Sequence, residues 1–375
     1  MIDFLQGDVF DNIKKLDDNT IDCVVTSPPY WGLRDYGTAS YEGGDPDCKH
    51  TITDGIVDNK NNKLIERPDR ASDKKNCVRC GAKRIDKQLG LEPTYQEHIQ
   101  NIVELFRAMK PKLKDSATVW LNYGDSYAST VNGTKVKDQV KNKVQFAGKY
   151  LIEGDDRTFR DKPFSTIQGS LKPKDLVMIP NRIAIALQDD GWWIRSEIIW
   201  HKPNPMPEST KDRPTSCHEK IWLITKSKKY YYDADAIREP VALGTITRLS
   251  EKNLKNQKGS TRGNGGMKSN GNMKPVGNME TKNKRNVWTV TTKPCKEAHF
   301  ATFPKDLIEP CIKAGCPKNG IVFDPFGGSG TTGIVAKSLN RNAILSELNP
   351  EYIEIAKARI NKEFGMFKWE IYTKH

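Results

Sequence analysis

The chain has 375 residues, with 60 Lys and Arg against 47 Asp and Glu, a formal net charge of +13 and a pI near 9.2. That length suits one large α/β domain with insertions, and the charge points to a polyanion, nucleic acid first, as the partner. No run of eighteen apolar residues occurs and no signal-like segment opens the chain, so no membrane span and no secretion are expected, and the eight cysteines fit a reducing, cytoplasmic setting.

Residues 2–6 read as a short strand ending at Gly7-Asp8. Phe10, Ile13 and Leu16 then mark one face of a short helix. Residues 21–25 form an apolar, β-branched run typical of a buried parallel strand. It must stop at Thr26-Ser27-Pro28-Pro29-Tyr30-Trp31, because neither proline can donate to a ladder and each bars the α region to the residue before it. The stiff loop offers a hydroxyl on Ser27, a carbonyl on Pro28 and the aromatic faces of Tyr30 and Trp31. Acceptors beside a π-face suit a flat ring carrying an amino group. In open α/β sheets, ligands bind at such carboxyl ends.

Residues 38–90 are poor in periodic pattern and rich in Asp, Lys, Asn and Gly, as an insertion would be. Cys48-Lys49-His50 and Cys77-Val78-Arg79-Cys80-Gly81 lie within them. A Cys-x-x-Cys knuckle with a Cys-x-His pair supplies four ligands and no open position. Cys48, His50, Cys77 and Cys80 are therefore expected to hold a structural zinc that staples a segment too small for its own core.

The spacing of Ile99, Ile102, Val103, Phe106 and Met109 predicts a helix over 95–109. A strand over 117–125 again has a polar end, Asn122-Tyr123-Gly124-Asp125. Residues 126–175 form a second insertion, followed by a helix over 176–189. Strands over 192–201 and 220–232 are joined by a proline-rich loop, which fits an antiparallel pair at a sheet edge. Residues 241–286 carry ten Lys and Arg against two Glu, with seven glycines and no aromatic residue. Such a segment cannot bury a core, and its cations suit phosphates.

A helix over 304–314 and a strand over 321–324 lead into Pro325-Phe326-Gly327-Gly328-Ser329-Gly330-Thr331-Thr332, which opens a helix over 333–339. A strand over 342–346 ends in Glu347, and a last helix runs from 350 to about 363. Strand, Gly-rich turn, helix, strand and acid is the order that places backbone against a ligand and a carboxylate on ribose hydroxyls. The helix N-terminus at Thr331-Thr332 suits an anionic group. The turn also satisfies Gly-x-Gly-x-x-Gly of nicotinamide enzymes, but the further strands such an enzyme needs lie at the other end of this chain.

Ser27-Pro28-Pro29-Tyr30 resembles the catalytic motif of S-adenosylmethionine-dependent DNA amino-methyltransferases, and Phe326-x-Gly328-x-Gly330 resembles their cofactor motif. Catalytic loop first and cofactor loop last is similar to the β group of that family. Asp212-Arg213-Pro214, His218-Glu219 and His299-Phe-Ala-Thr-Phe303-Pro304 also look like family stretches. The resemblance implies a Rossmann-like methyltransferase sheet with circularly permuted motif order and an antiparallel edge hairpin. One catalytic domain would span 1–375, with its cofactor-binding part at 297–363 and its target-recognition region at 241–286. The resemblance places Phe326, Gly328 and Gly330, with Asp324 and Thr331, on the cofactor, Glu347 on its ribose and Asp8 near its adenine. Phe303 would close the site.

In this reading Ser27 Oγ and the Pro28 carbonyl draw the target amine toward sp³ geometry, and Tyr30 stacks on a base flipped from the duplex. Serine in the first position looks like the N4-cytosine enzymes and aspartate like the N6-adenine enzymes, so N4-cytosine is expected and N6-adenine is the alternative. Cytosine-C5 chemistry would need a cysteine nucleophile, and Pro294-Cys295 and Pro310-Cys311 do not follow a central strand. Serine in place of asparagine and the long basic insertions favour DNA over RNA or a protein glutamine as the methyl acceptor, and a non-catalytic, zinc-stapled nucleic-acid-binding protein is the remaining reading. Ser27, Tyr30, Gly328, Gly330 and Glu347 together argue against it. A cognate restriction endonuclease is the protein partner that the family implies.

Overall fold

The computed structural model describes residues 1–34, 36, 38–48, 56–58, 63–65, 76–77, 79–129, 165–242, 244, 246–247, 280–292, 303–365 and 373–374. His50, Cys295, His299 and most of the 126–175 and 241–286 stretches lie outside the described residues.

The chain opens with β1 (Ile2–Gln6), α1 (Val9–Lys14) and β2 (Ile21–Thr26), then the small strands β3 (Ser40–Glu42), β4 (Ile56–Asp58), β5 (Lys63–Ile65) and β6 (Lys83–Ile85). Next come α2 (Tyr95–Met109), β7 (Leu113–Tyr123), α3 (Ile179–Asp189), β8 (Trp193–His201) and β9 (His218–Thr225). Short strands β10 (Glu239–Pro240), β11 (Thr281–Lys282) and β12 (Val287–Thr289) precede α4 (Lys305–Gly315), β13 (Ile321–Asp324) and α5 (Thr331–Ser338). β14 (Asn342–Glu347), α6 (Pro350–Phe364) and β15 (Thr373–Lys374) complete the order.

One mixed sheet carries the fold, in the order β12-β8-β9-β7-β2-β13-β14-β1-β15. From β7 to β1 every pairing is parallel. β9 then runs antiparallel to both β7 and β8. The strands alternate between two cores. Val24, Val119, Leu121 and Tyr123 face one apolar cluster with α1, α2 and α3. Cys23, Val25 and Trp120 face the other with α4, α5 and α6. Burial on both faces is why β2 is apolar throughout except for Asp22 and Thr26. Asp22 is compensated by Lys114 Nζ at 2.8 Å and the Ile321 N–H at 2.9 Å.

The antiparallel hairpin lies one strand in from the edge. β12 pairs outside β8, from Val287 against Ile199 to Thr289 against His201, and blunts an edge that would otherwise be open. α2 has the expected bounds, with Thr94 Oγ1 accepting the Glu97 N–H at 3.2 Å as its N-cap. α5 starts two residues earlier than the sequence pattern indicated. Gly330, at φ +78°, turns the chain into the helix from the left-handed region. β13 and β2 are adjacent in the middle of the sheet while the chain leaves them in opposite directions. The crevice at their carboxyl ends is the switch point where such sheets bind ligands.

Candidate active site

A cavity of about 620 Å³ opens at that crevice. β13 ends in Asp324, which is 1% exposed and organises the turn after it. Its Oδ1 accepts Thr26 Oγ1–H at 2.8 Å and the Phe326 N–H at 3.0 Å, and its Oδ2 accepts Thr332 Oγ1–H at 2.6 Å. Burial pushes its carboxyl up to about 6 against these three donors. One buried acid thus ties the strand bearing the Ser-Pro-Pro-Tyr loop to the Gly-rich turn.

The turn passes the cavity as bare backbone. A Cβ at Gly328, φ +49°, would meet no atom nearer than the Phe326 carbonyl oxygen at 3.9 Å. A Cβ at Gly330 would sit 2.8 Å from Ala356 Cβ, so this glycine lets α6 pack against the turn rather than lining the cavity itself. Glu347, at the end of β14, accepts the Gly328 N–H on Oε2 at 2.8 Å and the Asn349 N–H on Oε1 at 2.9 Å. Burial pushes its carboxyl up, and those N–H groups oppose the push. Each oxygen keeps a lone pair for a hydroxyl from the cavity.

Asp8, Phe303, Phe326 and Thr331 line the same cavity. Asp8 also caps α1, its Oδ1 accepting the Phe10 and Asp11 N–H groups at 3.0 and 3.3 Å.

Ser27, Pro28, Pro29 and Tyr30 line the opposite side. Ser27 Oγ–H donates to the Tyr30 hydroxyl at 3.3 Å, and Tyr30 donates to Glu219 Oε2 at 2.9 Å. Burial and the neighbouring Glu219 charge both push the Tyr30 phenol well up, so it keeps the proton it donates. With its own proton directed at Tyr30, Ser27 Oγ keeps its lone pairs as acceptors. Glu219 is held by Asn122 Nδ2 at 3.1 Å and by an ion pair with Lys202. One face of the Tyr30 ring stacks on Tyr123, with centroids 4.5 Å apart at 27°. Gly124 makes room for that ring, since a Cβ there would lie 2.7 Å from Tyr30 Cε2.

Asn122, Lys202 and Tyr123 escaped the sequence reading as site residues. The polar end of the β7 stretch was the one signal for Asn122 and Tyr123, the motif-like His218-Glu219 was that for Glu219, and Lys202, just after β8, had none. Cys311 offers no nucleophile here. It is 1% exposed in the core around α4, and its thiol faces the Leu307 carbonyl at 3.7 Å.

Away from the cavity, the sulfurs of Cys48, Cys77 and Cys80 lie within 4.8 Å of one another, and Cys48 Sγ is 3.9 Å from Cys77 Sγ. The Gly81 N–H bonds to the Cys77 carbonyl at 2.9 Å, and the Cys77 N–H bonds to that of Ala82 at 2.7 Å. This tight turn faces two thiols the same way. His50, expected as the fourth ligand, lies outside the described residues.

The N6/N4 methyltransferase family model, described as DNA methylase, matches residues 21–358. The chain belongs to the N6/N4 DNA methylase family. It is 37% identical to the type II methyltransferase M.Cfr9I of Citrobacter freundii over 96% of this chain and 87% of that protein. It is 38% identical to the type II methyltransferase M.SmaI of Serratia marcescens over 94% of this chain and 89% of that one. Among solved structures, the PvuII DNA methyltransferase (cytosine-N4-specific) matches with a TM-score of 0.53 at 15% identity, over 99% of this chain and 88% of that one. A putative DNA modification methylase of Thermus thermophilus, complexed with S-adenosyl-L-methionine, matches with a TM-score of 0.50 at 16% identity, over 99% of this chain and all of that one. At such identity the two structures speak for the fold. The sheet is the family's Rossmann-like one, entered in permuted order. No helix among the described residues is long and apolar enough to cross a membrane.

Proposed function

We propose that this DNA methylase family member transfers a methyl group from S-adenosylmethionine to the exocyclic N4 amine of cytosine in duplex DNA. The observation that carries the reading is the cavity shared by Ser27, Pro28 and Tyr30 on one side and Gly328 and Glu347 on the other. The donor set fits the cofactor. Glu347 suits ribose hydroxyls, the bare Gly328 backbone admits close approach, and Asp8 and Asp324 are acidic neighbours for a cation. When bound, S-adenosylmethionine supplies a methyl on a sulfonium, already an electrophile. Ser27 Oγ and the Pro28 carbonyl accept from the target amine and turn its lone pair out of the ring. The free face of Tyr30 stacks on the flipped base. Positioning supplies most of the rate.

Serine rather than aspartate in the first motif position supports cytosine. Duplex DNA as partner follows from the +13 charge and the basic 241–286 stretch. The type II relatives support a companion restriction endonuclease. The domain plan is one catalytic unit with insertions at 38–90 and 126–175. Incubation with labelled S-adenosylmethionine and unmethylated duplex DNA, followed by mass spectrometry of the nucleosides, is expected to yield N4-methylcytosine. N6-methyladenine alone would overturn the base assignment, and no transfer would overturn the reaction.

The cysteine cluster supports a structural zinc on Cys48, Cys77 and Cys80, with His50 as fourth ligand. Tetrahedral thiolates at about 2.3 Å from zinc stand about 3.8 Å apart, in line with the 3.9 Å between Cys48 and Cys77. β6 leads from this knuckle to Gln88, which bonds the Arg34 carbonyl at 2.8 Å and the Tyr36 N–H at 2.7 Å on the cavity wall. Metal analysis is expected to find about one zinc per chain. Cys77→Ser should lose the metal, lower the Tm and weaken S-adenosylmethionine binding together. A variant that keeps its metal and its Tm would remove the assignment.

A further inference from the structure

Behind the Ser-Pro-Pro-Tyr loop runs a chain of buried polar groups that the chemistry above does not use. The Trp31 N–H, directly after Tyr30, donates to the Tyr123 hydroxyl at 2.8 Å. That hydroxyl lies 2.7 Å from His98 Nε2, and His98 Nδ1 lies 2.9 Å from Glu92 Oε2. His98 is 0% exposed, Tyr123 and Trp31 1% and Glu92 8%. Glu92 also accepts the Gly90 N–H at 2.8 Å and Asn101 Nδ2–H at 3.1 Å.

The proton positions follow from these contacts. Burial pushes the Glu92 carboxyl up, but its bonds to His98 and Asn101 outweigh that push and hold it below its ordinary value. A carboxylate only accepts, so His98 Nδ1 carries the proton facing it. Burial pushes the Tyr123 phenol well up and keeps it protonated. Its hydroxyl bonds His98 Nε2 and also lies 3.4 Å from the Pro29 carbonyl oxygen, an acceptor within the loop itself. Lone pairs on the Tyr123 oxygen remain for Trp31. The series is continuous from Trp31 to Glu92, and each bond polarises the next.

We propose that Glu92, His98 and Tyr123 are positioning residues. Together they fix the backbone of the Pro28-Pro29-Tyr30-Trp31 loop and so the carbonyl and ring that hold the target base; this rests on the proposed methyl transfer. Two more bonds clamp the same stretch. Trp31 Nε1–H donates to the Glu92 carbonyl and the Gly32 N–H to the Gly90 carbonyl, each at 2.9 Å. Gly90, at φ +93°, sits so close that a Cβ would lie 3.1 Å from the Tyr30 carbonyl oxygen. The Tyr123 ring, pinned by its hydroxyl, is the back wall of Tyr30.

Tyr123→Phe keeps the ring and removes the hydroxyl. His98→Gln keeps a polar group toward Tyr123, and His98→Asn keeps one only toward Glu92. Hydrogen exchange at the Trp31 and Gly32 amides of the free protein is measured beside single-turnover transfer to PCR-amplified, unmethylated genomic DNA. Tyr123→Phe and His98→Asn are expected to speed exchange at Trp31 by about tenfold and slow transfer by about tenfold or more. S-adenosylmethionine Kd should stay within about threefold, and His98→Gln should stay near wild type in both readouts. Unchanged Trp31 exchange in Tyr123→Phe, or equal effects of the two His98 variants, would overturn the relay. Exchange needs no turnover. A wild-type protein that protects Trp31, loses that protection in Tyr123→Phe and transfers no methyl would therefore support the relay while refuting the proposed function.

Discussion

Ser27→Ala is expected to slow single-turnover methyl transfer by roughly 10²-fold to 10³-fold, with S-adenosylmethionine Kd within about threefold of wild type. The hydroxyl donates to Tyr30 and so leaves its lone pairs to the amine. Alanine removes that acceptor and leaves the cofactor side, built on Asp324 and Glu347, intact. Tyr30→Phe keeps the stacking ring but breaks the bridge from Ser27 to Glu219, so an intermediate loss is expected. Tyr30→Ala removes base stacking worth about 1–3 kcal/mol and uncovers Tyr123, so it should be the slowest of the three. Rates with labelled cofactor and Kd by calorimetry separate these effects. A Ser27→Ala protein working at the wild-type rate would end the acceptor role.

Gly330→Val should weaken S-adenosylmethionine binding by about 10²-fold or more and lower the Tm by several degrees, on the order of 3 kcal/mol of strain and overpacking together. Gly330 sits at φ +78°, where a side chain is strained, and its Cβ would meet Ala356 Cβ at 2.8 Å and Ala356 Cα at 3.4 Å. α6 must shift or the turn must open, and either displaces the Gly328 N–H from Glu347. Gly328→Ala is the control. Its φ of +49° carries strain, but no atom crowds the new Cβ within 3.9 Å. It should lose no more than about tenfold in affinity, roughly the 1–2 kcal/mol of a left-handed residue. Equal effects at the two glycines would show that packing against α6 does not set the turn.

The two sides of the cavity were legible because each is one short string with its chemistry inside it. Pro28-Pro29 must end a strand, and a Gly-rich turn between strand and helix must bring backbone to a ligand. α2 was legible because its apolar stripe is strong, whereas the start of α5 depends on a backbone angle at Gly330 that no periodicity encodes. β12 has three residues and no pattern, so the covered edge of β8 could not be foreseen. The wall between the two strings was hidden for a different reason. Glu219 stands 189 positions from Tyr30, and Asn122 and Lys202 come from two further elements. His98 read only as one more residue in a helical stretch, because what makes it notable is the pair of buried partners on its two nitrogens.

The position of β13 bears on how the protein is made. The strand at the middle of the sheet leaves the ribosome long after β2, with which it pairs. While it is missing, β2 has a partner on one side only, in β7. β1, which precedes every other described strand, pairs with β14 and β15, both made long after it. Contacts of such long sequence separation fold slowly, and unpaired edges invite aggregation meanwhile. Through that interval the Ser-Pro-Pro-Tyr loop stands without the Gly-rich turn that shares its cavity. The cavity is complete only when the middle of the sheet is filled.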